Sequence, residues 1–263
     1  MSTFKTQAII LRRENYREHD RIFTIYSREY GKISCVAVGI RKIQSKQAGH
    51  MEPFTYVDMM LAKGRGPLPR FTTAVTLNAF RNTRQDILRI MCANNFIDMV
   101  EKAVTDEELD FHVFDLLVSA LELIDRQSDF SFEQSFFVAR MFGFQLLSYL
   151  GYKPELLRCL VCKNMISDQE VVFHSMQGGL VERKCLQNLN IQYAFPINKQ
   201  IIDVLRLALS QSLADIPNLA VDRQSLFALC QIVQSFIETH LERPLKSSLW
   251  FERVSQKYLQ TTR

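Results

Sequence analysis

Arg21-Ile22-Phe23-Thr24-Ile25-Tyr26-Ser27-Arg28-Glu29-Tyr30-Gly31-Lys32-Ile33-Ser34-Cys35-Val36-Ala37-Val38 is the stretch that decides the fold. Phe23 and Ile25 alternate with Ile22, Thr24 and Tyr26, which predicts a strand over Arg21–Ser27 with one face buried. Glu29-Tyr30-Gly31-Lys32 is a turn, because Gly31 takes a positive φ without penalty. Ile33–Val38, rich in β-branched residues, returns as the next strand. Two short strands with a tight glycine turn between them mark an antiparallel β module.

Working outward, Ala8–Arg13 reads as an earlier strand, with Ile9 and Leu11 on one face and Ile10 on the other. Phe54–Ala62 and Phe71–Phe80 read as two later ones. Gly64-Arg65-Gly66-Pro67-Leu68-Pro69 lies between them and excludes regular structure. Five strands in about 80 residues fit a small Greek-key barrel of the OB type, with an SH3-like barrel as the nearest rival. Helical spacing takes over near Asp86, where Ile87, Met91, Ile97, Val100 and Val104 form a stripe. Thr105 with Glu108, and Ser131 with Gln134, have the spacing of capping boxes for two further helices. The pattern lapses from Pro154 to Pro196, then resumes over Asn198–Leu213 and Asp222–Leu241, with a short helix after Pro244. The fold class is therefore α+β and multidomain. Residues 1–84 form a five-stranded OB-type barrel, and residues 85–263 a helical domain with a zinc-ribbon-like insert at about 155–195.

Charge follows the same division. Residues 1–84 hold 15 Lys/Arg against 6 Asp/Glu, a balance of +9, and the remaining residues hold 17 against 22, a balance of −5. A concentrated cationic β module suits a phosphate backbone. Three clusters sit at strand ends: Arg12 and Arg13; Arg41, Lys42 and Lys46; and Lys63, Arg65 and Arg70. These are the expected DNA-binding residues. Phe54 and Tyr56 share a face with Asp58, so they read either as exposed platforms for bases or as packing beneath a neighbouring element. Arg140 interrupts the apolar run Phe136–Leu150, where a guanidinium would hold a partner's carboxylate or snorkel to water.

Cys159-x-x-Cys162 and Glu182-x-x-Cys185 have the spacing of two zinc knuckles. Three thiolates and the Glu182 carboxylate make a tetrahedral set for a structural Zn²⁺, with His174 as the other choice for the fourth place. Cys35, Cys92 and Cys230 lie within apolar patterns and read as core residues. No phosphate loop, nucleophile elbow or paired-histidine metal motif occurs, so no catalysis is expected. The absence of an apolar leader or membrane span leads to the expectation of a cytoplasmic protein.

The pieces Ala8-Ile9-Ile10-Leu11-Arg12-Arg13, Glu18-x-Asp20-Arg21, Tyr30-Gly31-Lys32-Ile33, Gly39-Ile40-Arg41-Lys42 with Ser45, Glu52-Pro53-Phe54-Thr55, Gly64-Arg65-Gly66, Leu150-Gly151-Tyr152-x-Pro154 and His240-Leu241-Glu242-Arg243-Pro244-Leu245-Lys246-Ser247 run nearly end to end. In this order and spacing the chain resembles the RecO family of bacterial recombination mediators in DNA repair. The resemblance implies binding of single- and double-stranded DNA and annealing of complementary strands. It also implies action with RecR to load RecA onto strands coated by single-strand-binding protein, whose acidic tail would meet the helix bearing Arg140. Glu182 departs from the family's cysteine. An RNA-binding OB module and a protein-interaction adaptor remain the alternatives.

Overall fold

In a computed structural model, the structure describes residues 2–64, 66–106, 108–166, 170–216, 222–241, 245 and 247. Packing divides the chain into two compact units, one of residues 1–93 and 100–126 and the other of 94–99 and 127–263.

The first unit is built on β1 (Ser2–Asn15), β2 (Arg21–Ser27), β3 (Gly31–Ala37), β4 (Tyr56–Lys63) and β5 (Arg70–Asn78). They close a barrel in the order β1-β2-β3-β5-β4, with β3 and β5 parallel through Val36 and Arg70. This is the OB arrangement expected from the strand count. β1 extends at both ends beyond the expected Ala8–Arg13 because it serves two neighbours. Ser2–Ile9 pairs with β4 and Ala8–Asn15 with β2, and the register shifts between Ile10 and Arg12 where the strand turns from one partner to the other. The interior is filled by alternate residues, among them Ile10, Phe23, Ile25, Cys35, Val57, Met59 and Leu61. Gly31 adopts φ +65° at the β2–β3 turn.

Two helices complete this unit, α1 (Ile87–Ala103), whose middle residues belong to the second unit, and α2 (Phe111–Arg126). Thr105 does not cap α2: its hydroxyl bonds the Glu108 carboxylate at 2.6 Å. Asp110 caps instead, Oδ1 accepting from the backbone N–H groups of His112 and Val113. Phe114 of α2 lies against the rings of both Tyr26 and Tyr56 on the outside of the barrel, with centroids 6.1 and 6.0 Å away.

The second unit centres on α3 (Phe132–Tyr149), opened by the expected Ser131/Gln134 capping box and buried along almost its whole length. Gly143 lets it approach its neighbours, since a Cβ there would stand 2.4 Å from Ile237 Cδ1 and 2.9 Å from Met99 Sδ. α4 (Lys199–Ser210) and α5 (Arg223–His240) pack beside it, capped by Asn198 and Asp222. Gln145 donates to the carbonyls of Ala208 and Gln211, satisfying the open C-terminus of α4. Between α3 and α4 stands a three-stranded sheet ordered β7-β6-β8: β6 (Val171–His174), β7 (Gly179–Glu182) and β8 (Ala194–Pro196). The expected helix after Pro244 falls mostly on residues outside the described ones.

Candidate nucleic-acid interface and metal centre

The cations of the barrel differ sharply in what they already hold. Arg12 lies 2.7 Å from Glu101 and 3.8 Å from Glu14, and Arg13 pairs with Glu52. This end cluster is neutralised within its own unit. By contrast, Lys42, Lys46, Lys63 and Arg70 are exposed and have no carboxylate partner among the described residues. Arg41 directs one guanidinium nitrogen at the carbonyls of Arg17 and Glu18, at 3.4 and 2.9 Å, and leaves its charge uncompensated. Arg65 lies outside the described residues.

The loop carrying Arg41, Lys42 and Lys46 is built by short-range bonds. Gly39 turns it at φ +69° and donates to Asp20 Oδ1 at 2.8 Å, while Arg41 N donates to His19 O at 3.0 Å. Asp20 is the anchor that joins the β1–β2 turn to this loop. At the other end Gln47 Oε1 accepts from Ala74 N of β5 at 2.8 Å.

Lys63 lines a cleft of about 760 Å³ together with Phe4, Tyr30, Lys32, Gly64, Gly66 and Pro67. Phe4 and Tyr30 meet edge to face at 4.7 Å, and Lys63 Nζ stands 5.8 Å from the Phe4 centroid. Lys32 is internal to the unit, donating to the Glu101 and Val104 carbonyls at the end of α1 and lying 3.2 Å from Asp106. Of the Phe4 and Tyr30 rings, Tyr30 is exposed, whereas Phe4 is half-buried against the barrel core. Tyr56 is not an open platform, because Phe114 covers it and its hydroxyl donates to Gln7 at 2.6 Å. Phe54 adopts φ +69° with Arg84 5.8 Å from its ring. Strand alternation separates inner from outer residues, but only the docking of α2 decides which outer residues meet water.

Arg140 is 0% exposed, with its guanidinium carbon 4.7 Å from the Phe136 centroid. Neither a partner's carboxylate nor snorkelling fits this burial. In sequence α3 is an apolar run interrupted by Arg140, whereas in the structure nearly all of its residues are buried, with α4 and α5 packed against it.

Four donors come together in the ribbon. One ligand atom each from Cys159, Cys162, Glu182 and Cys185 lies within 4.8 Å of every other. The Glu182 N–H donates to Cys159 Sγ at 3.4 Å, and its Oε2 faces Cys162 Sγ at 3.4 Å and Cys185 Sγ at 4.0 Å. A tetrahedral zinc with its usual bond lengths spaces a sulfur and a carboxylate oxygen by about 3.5 Å. The set therefore fits a divalent cation. Burial pushes the Cys159 thiol up, but amide hydrogen bonds from Glu182, Cys162 and Val161 outweigh it and hold the group below the usual thiol range. Burial and the neighbouring thiols push Cys185 up to about 11. The Lys184 ammonium, 3.0 Å from Glu182 Oε2, holds that carboxyl low, aided by the Cys162 thiol. Three thiols this close resist joint ionisation without a cation.

His174 is not in the cluster. Its Nδ1 accepts from Gln177 N and its Nε2 faces Asn190 O, each at 3.2 Å, so both nitrogens are engaged in the hairpin. Glu182, not His174, is the fourth group of the cluster.

Known proteins match the sequence along nearly the whole chain. The family model for the recombination protein O N terminal matches residues 1–80, and that for the recombination protein O C terminal matches residues 84–249. The chain belongs to the RecO family. A protein named DNA repair protein RecO from Desulforamulus reducens is 29% identical over 259 residues, covering 98% of each chain. One of the same name from Dehalococcoides mccartyi is 30% identical over 256 residues, covering 97% of this chain and 98% of the relative. A third, from Pelotomaculum thermopropionicum, is 30% identical over 259 residues. The RecO N-terminal match spans the barrel and the C-terminal match spans the helices and the ribbon. Among the described residues, no helix is long and apolar enough to cross a membrane.

Proposed function

We propose that this RecO-family chain is a non-enzymatic mediator of DNA repair and homologous recombination. It binds single- and double-stranded DNA through residues 1–84, anneals complementary strands, and works with RecR to help load RecA onto strands coated by single-strand-binding protein. It meets that protein's tail, acts in the cytoplasm at the nucleoid, and carries a structural Zn²⁺ on Cys159, Cys162, Glu182 and Cys185. Bound zinc would supply a cross-link between the two knuckles, and four protein donors leave it no open position for catalysis.

The observation that carries this reading is the Arg41–Lys46 loop, whose cations have no acids of their own to hold, on an OB barrel of this family. Phosphates are the matching ligands. Lys63 and Arg70 add to the same task from the β4–β5 turn, whereas Arg12 and Arg13 contribute less because Glu101 and Glu52 already hold them. Charge neutralisation on two strands at once lowers their repulsion, and base pairing then proceeds without chemistry from the protein.

Releasing condensed counterions makes such binding steeply salt-dependent. Replacing Arg41, Lys42 and Lys46 together by Glu is expected to weaken binding of single-stranded DNA and to flatten log K against log salt by about 2. Gel-shift titrations across salt measure this, and an unchanged slope would remove the loop from the interface. Competition between matched DNA and RNA strands tests the nucleic acid itself, since a strong preference for RNA overturns the DNA reading.

A further inference from the structure

Ile43 is 104% exposed, more than any other large apolar residue described. Single exposed apolar side chains are ordinary on protein surfaces. This one is unusual in its mounting. It stands in Arg41-Lys42-Ile43-Gln44-Ser45-Lys46, on a loop held by its own backbone: Lys42 N donates to Gly39 O at 3.1 Å and Ser45 N to Lys42 O at 2.9 Å. Arg41 N is fastened to His19 O on one side, and Gln47 to Ala74 on the other. The turns present Ile43 outward with a cation on each flank. Tyr16 and Val38, each about half exposed, occur on the β1–β2 turn and beside Gly39, and the Arg17 guanidinium lies 5.0 Å from the Tyr16 centroid. The acids of that turn are turned elsewhere, Asp20 to Gly39 N and Glu18 to the His19 ring.

Resting on the DNA-binding reading above, we propose that Ile43 is a wedge that enters between adjacent bases of a strand whose phosphates are held by Arg41, Lys42 and Lys46. A nucleic acid is an apolar stack sheathed in anions, and an apolar tip flanked by cations is its complement. Proteins that kink or unstack DNA insert side chains of this kind between base steps. An anionic lipid surface offers phosphates over an apolar layer as well. Stable attachment there needs a broad apolar face, whereas one isoleucine fills one base step. For a protein that anneals strands, the wedge has a purpose beyond affinity. It opens the stack of a single strand and holds bases apart from their neighbours, which prepares them to pair with a complement.

The test uses the full chain and a single-stranded oligonucleotide carrying 2-aminopurine, whose fluorescence rises when it unstacks. The wild-type protein is expected to raise the signal on binding. Ile43→Ser is expected to keep the salt slope of binding but to lose the fluorescence rise, and Ile43→Phe to restore it. An Ile43→Ser protein that still raises the signal, or a wild-type protein that binds without raising it, overturns the wedge and leaves DNA binding standing. A wild-type protein that binds no DNA at low salt overturns both. Loss of binding to phosphatidylglycerol vesicles in Ile43→Ser, with the DNA signal unchanged, reassigns the tip to a lipid surface and overturns the proposal.

Discussion

His174 is 1% exposed, with one ring nitrogen accepting from Gln177 N and the other facing Asn190 O. That pattern requires the neutral ring with the proton on Nε2, because a second proton on Nδ1 would face another N–H. Burial accordingly holds its pKa below the ordinary histidine range. The contribution to stability is complete above about pH 6.5, where the ring is neutral folded and unfolded. As pH falls through that value the unfolded chain takes a proton that the folded one refuses, so stability declines by at most about 1.4 kcal/mol per pH unit. Unfolding midpoints measured between pH 7.5 and 5 at matched metal content are expected to fall in the wild type and to flatten in His174→Gln. The role of His174 was not legible in the sequence, where a histidine eleven residues before Cys185 looks like a ligand. Spacing identifies groups able to reach a metal; the hairpin register turns this one away. Arg140 has the same lesson, since a charge within an apolar run does not declare which neighbours will close over it.

At the scale of elements, the ribbon hairpin depends on a close approach of backbone to backbone. Leu180 N donates to Glu155 O and Glu155 N to Gly178 O, each at 2.9 Å, and a Cβ on Gly179 would stand 2.6 Å from Glu155 O. Gly179→Ala is expected to push the two segments apart and to cost about 1–3 kcal/mol in chemical denaturation, the usual range for overpacking. Gly49→Ala, where nothing lies within 4 Å, serves as the control with little change. The expected strand over Arg21–Ser27 matches β2 residue for residue because its alternation is unbroken and tight turns bound it. β1 exceeded its expected length because pairing with β4 extends a polar segment, Ser2–Gln7, whose composition shows no strand pattern. The start of α2 departs from the Thr105/Glu108 spacing for a related reason: Asp110 lies closer to the first helical turn and takes the free amides.

At the scale of the whole molecule, the two compact units separate the charges from the metal donors. The cations proposed to bind phosphate belong to the barrel unit, and Cys159, Cys162, Glu182 and Cys185 to the other. Metal removal should therefore act on one function and spare the other. Elemental analysis of the purified protein is expected to find a single equivalent of zinc. A chelator should lower the thermal midpoint of the second unit and leave the salt slope of DNA binding unchanged. Glu182→Ala is expected to weaken zinc affinity, and Glu182→Cys to strengthen it because thiolate suits zinc better than carboxylate. Full zinc retention by Glu182→Ala would exclude Glu182 from the ligand set.

The order of the elements, the barrel, the knuckle donors and the concentration of positive charge near the amino terminus were all present in the sequence. They rest on local pattern: alternation, glycine turns, ligand spacing and charge count act within a few residues of chain. Which cations stay free, which aromatics meet water, that Arg140 is enclosed, and that Ile43 stands at the tip of a basic loop were decided only in the tertiary structure. These properties depend on partners distant in the chain, Glu101 for Arg12, Phe114 for Tyr56 and Asp20 for Gly39, which only folding brings together.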